Sequence, residues 1–286
     1  MYTTLKEVTK TATELNFTVG AFNTHNLEML PEMIEAAKEM GSPIIIQTSV
    51  DTAKYIGYSV LVSVVRTIAD NEMVDAVLHL DHARDFDDIK AAIDSGYTSV
   101  MYDGSHLPFK ENILKTKAVV EYAHKRGVSV EGELGTIGGT EEGIHVEEND
   151  KVYTKPADAV EFVAATGVDA LAIAIGTNHG QFKSKTEVNI PLLKEIHAVV
   201  HIPLVIHGGT GVKEEDYPEL INHGIRKFNV GTELLVNWTK TAQESFAETS
   251  INQSLRHNVI PANDVCKSII KHKIGLFMNV DSPLNK

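Results

Sequence analysis

The chain has 286 residues, of which 43% are hydrophobic and 23% charged, and its net charge is −13. This is ordinary globular composition, and the negative charge disfavours nonspecific association with nucleic-acid phosphates or anionic lipid. No run approaches the ~18 apolar residues of a membrane span, the N-terminus lacks the basic start and apolar core of a secretory signal, and the single cysteine, Cys266, rules out an internal disulfide and argues against thiolate chemistry. A cytoplasmic protein that binds neither membrane nor nucleic acid is expected.

Along the chain, short apolar runs ending in polar or glycine-rich turns alternate with amphipathic stretches. FTVGAFNT (17–24) reads as a strand, and the helix after it carries Leu27, Leu30, Ile34 and Ala37 on one face and stops at Gly41. PIIIQTS (43–49) is a second strand, followed by a helix marked by Val60, Val64 and Ile68. VDAVLHLDHA (74–83) is the third, and Asp85 and Gly96 bracket the next helix as N-cap and stop. Further strands are expected at 98–105, 128–136, 168–180, 202–211 and 225–233, then a helix over 233–248 and another over 264–275.

Eight strand–helix units with strands this apolar predict a parallel sheet covered on both faces. The expected fold is α/β, a (β/α)8 TIM barrel forming a single domain over 1–286, with an additional C-terminal helix in a tail from about 250 to 286. An open doubly wound sheet is the alternative. The segment GGTEEGIHVEENDKVYT (138–154) is glycine-rich and acidic, and its length predicts an active-site loop.

A barrel gathers its chemistry at the C-terminal ends of its strands. Strand three ends in Asp81-His82, strand four in Asp103 and strand five in Glu131 and Glu133. Strand six ends in Asn178-His179-Gly180, strand seven in His207-Gly208-Gly209-Thr210, and strand eight in Asn229-Val230-Gly231-Thr232. His82, His179 and His207 thus fall at equivalent positions, and three imidazoles with an open fourth place form a ligand set of catalytic zinc. His25, His79 and His106 read as supporting or structural. Gly208, Gly209, Thr210 and Thr232 offer backbone amides and hydroxyls where barrels bind phosphate. Asp81 can orient a ligand, bind metal or carry a proton. For Asp81 and His82 to serve one site, the strand must break its alternation between them, because neighbours on a regular strand face opposite ways.

The ordered stretches HLDHA, MYDGS, EGELGTIGG, AIGTNHG, HGGTG and NVGTE resemble the class II, metal-dependent ketose-bisphosphate aldolases, over essentially the whole chain. The resemblance implies a zinc-dependent lyase cleaving a fructose- or tagatose-type 1,6-bisphosphate to glycerone phosphate and glyceraldehyde 3-phosphate. Its alternative within the family is another phosphorylated keto sugar or keto acid, such as a phospho-dehydro-deoxygluconate. It implies zinc on His82, His179 and His207, and Asp81 exchanging a proton with the C4 hydroxyl. Glu141 would move a proton on the three-carbon carbanion, while Asp103 and Glu133 can hold the metal in a second location. It further implies substrate contacts from Asn23, Ser49, Gly180, Gly208, Gly209, Thr210, Asn229, Val230, Gly231 and Thr232, a Na+ or K+ ion near the phosphate, and a homodimer or homotetramer. Thr210 stands where family members often have serine. A DPR motif of the family appears as Ser254-Leu255-Arg256, so Arg256 matches an arginine that reaches the distal phosphate from a partner subunit.

Three other readings compete. A Schiff-base aldolase needs a lysine at a strand's C-terminal end, whereas Lys227 precedes the apolar part of strand eight and Lys183 sits in a loop. Metal-dependent hydrolases generally carry paired histidines on the first strand, where AFNTH offers only His25. A non-enzymatic metal-binding protein leaves the two phosphate-like turns unexplained.

Overall fold

A computed structural model describes residues 1–141, 144–146, 152–179, 187–209, 211–250 and 253–278, with backbone only at 138–141, 144–146 and 179. Eight parallel strands close into a barrel: β1 (Val19–Asn23), β2 (Ile44–Thr48), β3 (Ala76–Ala83), β4 (Ser99–Tyr102), β5 (Ser129–Leu134), β8 (Ala170–Ile173), β10 (Leu204–Ile206) and β11 (Ile225–Val230). Each neighbours its sequence predecessor in the barrel, and β1 pairs with β11 to close it. The remaining strands, β6 (Gly138–Glu141), β7 (Ile144–Val146) and β9 (Asn178–His179), form a separate small sheet.

The helices are α1 (Leu5–Leu15), α2 (Leu30–Glu39), α3 (Val50–Ile56), α4 (Tyr58–Glu72), α5 (Phe86–Ser95), α6 (Phe109–His124), α7 (Pro156–Thr166), α8 (Ile190–Val199), α9 (Tyr217–Asn222), α10 (Thr232–Glu248) and α11 (Arg256–Phe277). Along each barrel strand the side chains alternate. One set packs outward against the helices, including Ile44, Ile46, Leu78 and Val130, while Val19, Ala21, Ile45, Val77, Ala170, Ala172 and Val205 form a second apolar cluster inside. The inner cluster is completed by Leu5, Val8 and Ala12 of α1, which plugs the barrel floor. Helix α1 starts on a capping box, with Thr4 accepting from the Glu7 amide and Glu7 reaching back to the Thr4 backbone.

The expected single domain with a C-terminal helix is present. That helix is longer than 264–275, because Asn258 and Asn263 are buried in its packing face rather than breaking it. The α4 pattern is offset by one position: Leu61, Val65 and Ala69 are buried, while Val60 lies 42% exposed. Two strand boundaries also differ from expectation. Strand six ends at Ile173, and Asn178–His179 form a separate bridge to β6. The segment expected as a long loop contains the antiparallel pair β6–β7. Glycines at 138 and 139 lack the β-branched pattern that marks a strand, and here backbone pairing with Asn178 and His179 makes the sheet.

Candidate active site

At the C-terminal rim of the barrel, β3 solves the problem that its sequence posed. Three residues of β3 span two of β4, the register passing from Leu80 opposite Val100 to Ala83 opposite Tyr102. Within this bulge His82 adopts φ 47°, a left-handed conformation that costs a non-glycine residue ~1–2 kcal/mol. Asp81 keeps the inward face that it shares with Val77 and His79, and the bulge turns His82 to the same cavity. Such strain clusters at functional sites.

His82 Nε2 and His207 Nδ1 lie 2.8 Å apart, with the rings edge to face at 4.7 Å between centroids. Each imidazole is backed by a carboxylate on its other nitrogen. His207 Nε2 donates to Glu131 Oε1 at 2.6 Å, and His82 Nδ1 faces Asp103 Oδ2 at 3.6 Å. Protonating those backed nitrogens leaves the two converging nitrogens as lone-pair donors, the tautomers a metal requires. Asp81, His82 and His207 offer ligand atoms within 4.8 Å of one another, as do His82, Asp103 and Glu133. The donor set therefore fits a cation, and both groupings share His82.

Asp81 is 2% exposed, and three amides hold it. Gln47 Nε2 donates to Oδ2 at 3.0 Å, Asn23 Nδ2 to Oδ2 at 3.4 Å, and Asn229 Nδ2 to Oδ1 at 3.4 Å. Asn23 in turn accepts from Gln47 at 2.7 Å. A Cβ on Gly231 would stand 2.9 Å from Asn23 Oδ1, so the turn after β11 presses against this amide cluster.

Asp103 accepts from Arg84 Nη2 at 2.6 Å and Nε at 2.9 Å, and from Ser105 Oγ at 2.6 Å. Burial would raise its carboxyl, but the bond to His82, Ser105 and the Arg84 charge together hold it well below the usual range. Both its oxygens are thus engaged. Glu133 Oε2 lies 3.9 Å from the Nδ1 atoms of both His82 and His207. Burial also lowers His207, opposed by its bond to Glu131.

The structure thus brings together Asp81, His82, His207, Asp103, Glu133, Asn23 and Asn229. The backbone of His179 is placed beside them, because the Asn178 amide donates to the Gly208 carbonyl at 3.2 Å. The His179 and Glu141 side chains, Gly180 and Thr210 lie outside the described residues. Ser49 caps α3, accepting from the Thr52 amide. Val230 ends β11 and is buried, while Gly231 and Thr232 open α10, which has no side-chain cap on its first amides. Arg256 starts α11, exposed, and donates to Ser254 of its own chain.

Sequence reasoning missed Gln47, left Glu131 without a task and read His79 as supporting or structural without naming what it supports. All three lie inside the barrel with Asp81, and period-two spacing from Asp81 and Glu133 was the signal for His79 and Glu131. Lys227 needs a correction. It sits mid-strand in β11, fully buried inside the barrel, with Nζ 2.9 Å from Glu131 Oε2. Its place beside Arg226 at the start of the strand hid its inward direction.

A parallel barrel whose rim gathers imidazoles and carboxylates around one cavity, beside an amide-held aspartate, belongs to the metal-site barrel enzymes. The family described as fructose-bisphosphate aldolase class-II matches residues 3–282. The chain is 39% identical over 276 residues to a fructose-bisphosphate aldolase of Geobacillus stearothermophilus, covering 96% of each sequence. It superposes on the YdjI aldolase of Escherichia coli K12 with a TM-score of 0.84 at 32% identity, covering 97% of each chain. A fructose-bisphosphate aldolase of Campylobacter jejuni, at 21% identity and TM-score 0.83 with 98% and 97% coverage, shares the fold. The chain belongs to the class II fructose-bisphosphate aldolase family and is a carbon–carbon lyase. Family membership decides against the Schiff-base, hydrolase and non-enzymatic readings. No helix among the described residues is long and apolar enough to cross a membrane.

Proposed function

We propose that this aldolase cleaves a ketose 1,6-bisphosphate of the fructose or tagatose type on a zinc ion held by His82, His179 and His207, with Asp81 exchanging the C4 hydroxyl proton. The observation that carries this reading is the convergence of His82 Nε2 and His207 Nδ1, 2.8 Å apart, beside a buried aspartate. Zinc bound there supplies Lewis acidity for the negative charge that develops on the three-carbon half as the C3–C4 bond breaks.

The protein's own groups do the rest. Asp81 accepts only neutral amide donors from Asn23, Gln47 and Asn229, so it is aimed without an ion-pair partner among those bonds. In cleavage it takes the C4 hydroxyl proton, and in condensation it returns one to the aldehyde oxygen. Glu141, on the sheet that pairs with His179, is assigned the proton on the three-carbon carbanion. The glycerone phosphate half is assigned to Gly180, Gly208 to Thr210 and Asn229 to Thr232, where the first amides of α10 lack intrahelical acceptors. Ser49 and Asn23 are assigned to the substrate as well, and Na+ or K+ accompanies the phosphate. His82, Asp103 and Glu133 are assigned a second metal position, where Asp103 also accepts from Arg84. Arg256 is assigned to the distal phosphate of a neighbouring subunit, in a homodimer or homotetramer.

Asp81→Asn tests the proton assignment. The variant should retain zinc and lose ~10²–10⁴-fold in turnover of fructose or tagatose bisphosphate. Turnover near that of the parent would sink the assignment.

A further inference from the structure

Beneath the rim lies a cation that the proposed chemistry does not use. Lys227 Nζ donates to Asn229 Oδ1 at 2.7 Å and pairs with Glu131 Oε2 at 2.9 Å, and both Lys227 and Glu131 are fully buried. A buried ion pair is a poor source of stability, since well-packed apolar replacements are often neutral or better. Where its two contacts lead is a different matter.

Two arms leave this ammonium. Through Glu131, whose Oε2 faces the lysine, the other oxygen Oε1 is left to accept from His207 Nε2 at 2.6 Å. That bond fixes which imidazole nitrogen keeps its lone pair and points it at His82. Through Asn229, the lysine occupies the amide oxygen, so the amide nitrogen is the end that faces Asp81 Oδ1. A flipped amide would set oxygen against carboxylate. These residues come from β11, β5 and β3 and from the end of β10, so only the closed barrel unites them.

We infer that Lys227 is a positioning residue that orients His207 through Glu131 and Asp81 through Asn229, setting metal ligand and proton carrier from one buried cation. The inference rests on the roles proposed above for His207 and Asp81.

Three variants test it: Lys227→Met, Glu131→Gln and the double substitution. The readouts are Zn2+ affinity by competition with a chromophoric chelator, kcat and KM, and urea unfolding of the metal-free protein. Lys227→Met should unfold cooperatively, bind Zn2+ ~10–100-fold more weakly, as losses of groups supporting metal ligands do, and lose kcat with KM little changed. In Glu131→Gln, Lys227 claims the new amide's oxygen and turns its NH2 toward His207, so Zn2+ affinity should fall as well. In the double variant that constraint is gone, and the substituted amide can turn its oxygen to accept from His207. Its Zn2+ affinity should recover toward the parent value while kcat stays low, because Asn229 has lost its anchor. Parental Zn2+ affinity and kcat in Lys227→Met would overturn the inference. Should that variant not fold, a parental kcat in the double variant would overturn it, and a low kcat at recovered affinity would support it. Failure of the parent enzyme itself to bind Zn2+ would instead refute the site reading beneath it.

Discussion

Gly209 sits two residues beyond His207, and its lack of a side chain is required by a neighbouring ring. A Cβ built there would lie 2.0 Å from Phe228 Cε1 and 2.5 Å from Cζ, where ordinary contact begins near 3.4 Å. Phe228 has no easy retreat, because Tyr217 and Phe277 stand against it with centroids at 5.3 Å and 5.0 Å. Gly209→Ala must therefore push this aromatic group, or the turn carrying His207, by more than an ångström. Overpacking of a filled core costs ~1–3 kcal/mol. Urea unfolding of the metal-free protein should show that loss, and Zn2+ affinity should fall with it as the turn shifts. Phe228→Leu frees the space at its own cost of about 1–2 kcal/mol for lost ring contacts. If the methyl–ring clash is the cause, the double variant should be more stable than the sum of singles by about 1 kcal/mol or more. Additivity would refute the argument.

Acid and metal removal give two further tests. Burial and the Lys227 charge push His79 down to about 3, whereas an unfolded histidine protonates near ~6.5. The unfolded chain therefore binds the extra proton between those values, so the stability from a neutral His79 is complete above ~6.5 and is lost as pH falls, by up to ~1.4 kcal/mol per pH unit. Urea midpoints from pH 7 to 4.5 should fall less steeply for His79→Gln than for the parent, and parallel curves would refute this. Chelation should lower the melting temperature and added Zn2+ restore it, since a ligand at ~100 times its Kd stabilises by ~2.7 kcal/mol. His207→Gln should abolish most of that shift and Asp81→Asn should not, as differential scanning fluorimetry would show.

The barrel was legible because its strands are apolar runs closed by turn residues, a pattern set by burial on both faces. His82, His207 and Asp81 were legible because they end such runs. The bulge that aims His82 was not, since a histidine at φ 47° leaves no compositional trace. Its need was deducible from the adjacency of Asp81 and His82, but its form was not. The β6–β7 pair was hidden because β6 is half glycine and β7 is only three residues long within an acidic stretch, and the pairing with β9 is set by segments far apart in sequence. In α4, apolar residues occupy both Val60–Val64–Ile68 and Leu61–Val65–Ala69, and only the neighbouring elements decide which row is buried.

The barrel interior changes character with height, and this explains why so much charge gathers at one place. Val77 gives way to His79 and then Asp81 along β3, Ile45 to Gln47 along β2, Ala21 to Asn23 along β1, and Val205 to His207 beyond β10. The floor below is closed by α1 and is apolar, so water and polar partners reach these groups only from the rim. Strand β8 is the exception, remaining Ala170 and Ala172 beside Glu131 and Glu133. Those small side chains stand between β5 and β10, and they leave the space across which Glu131 meets His207 and Lys227. A larger residue at Ala172 would fill that space and separate the carboxylate from the imidazole that it orients. The alanines of β8 thus belong to the same device as the charged groups beside them in register, although neither their composition nor their burial distinguishes them from ordinary core.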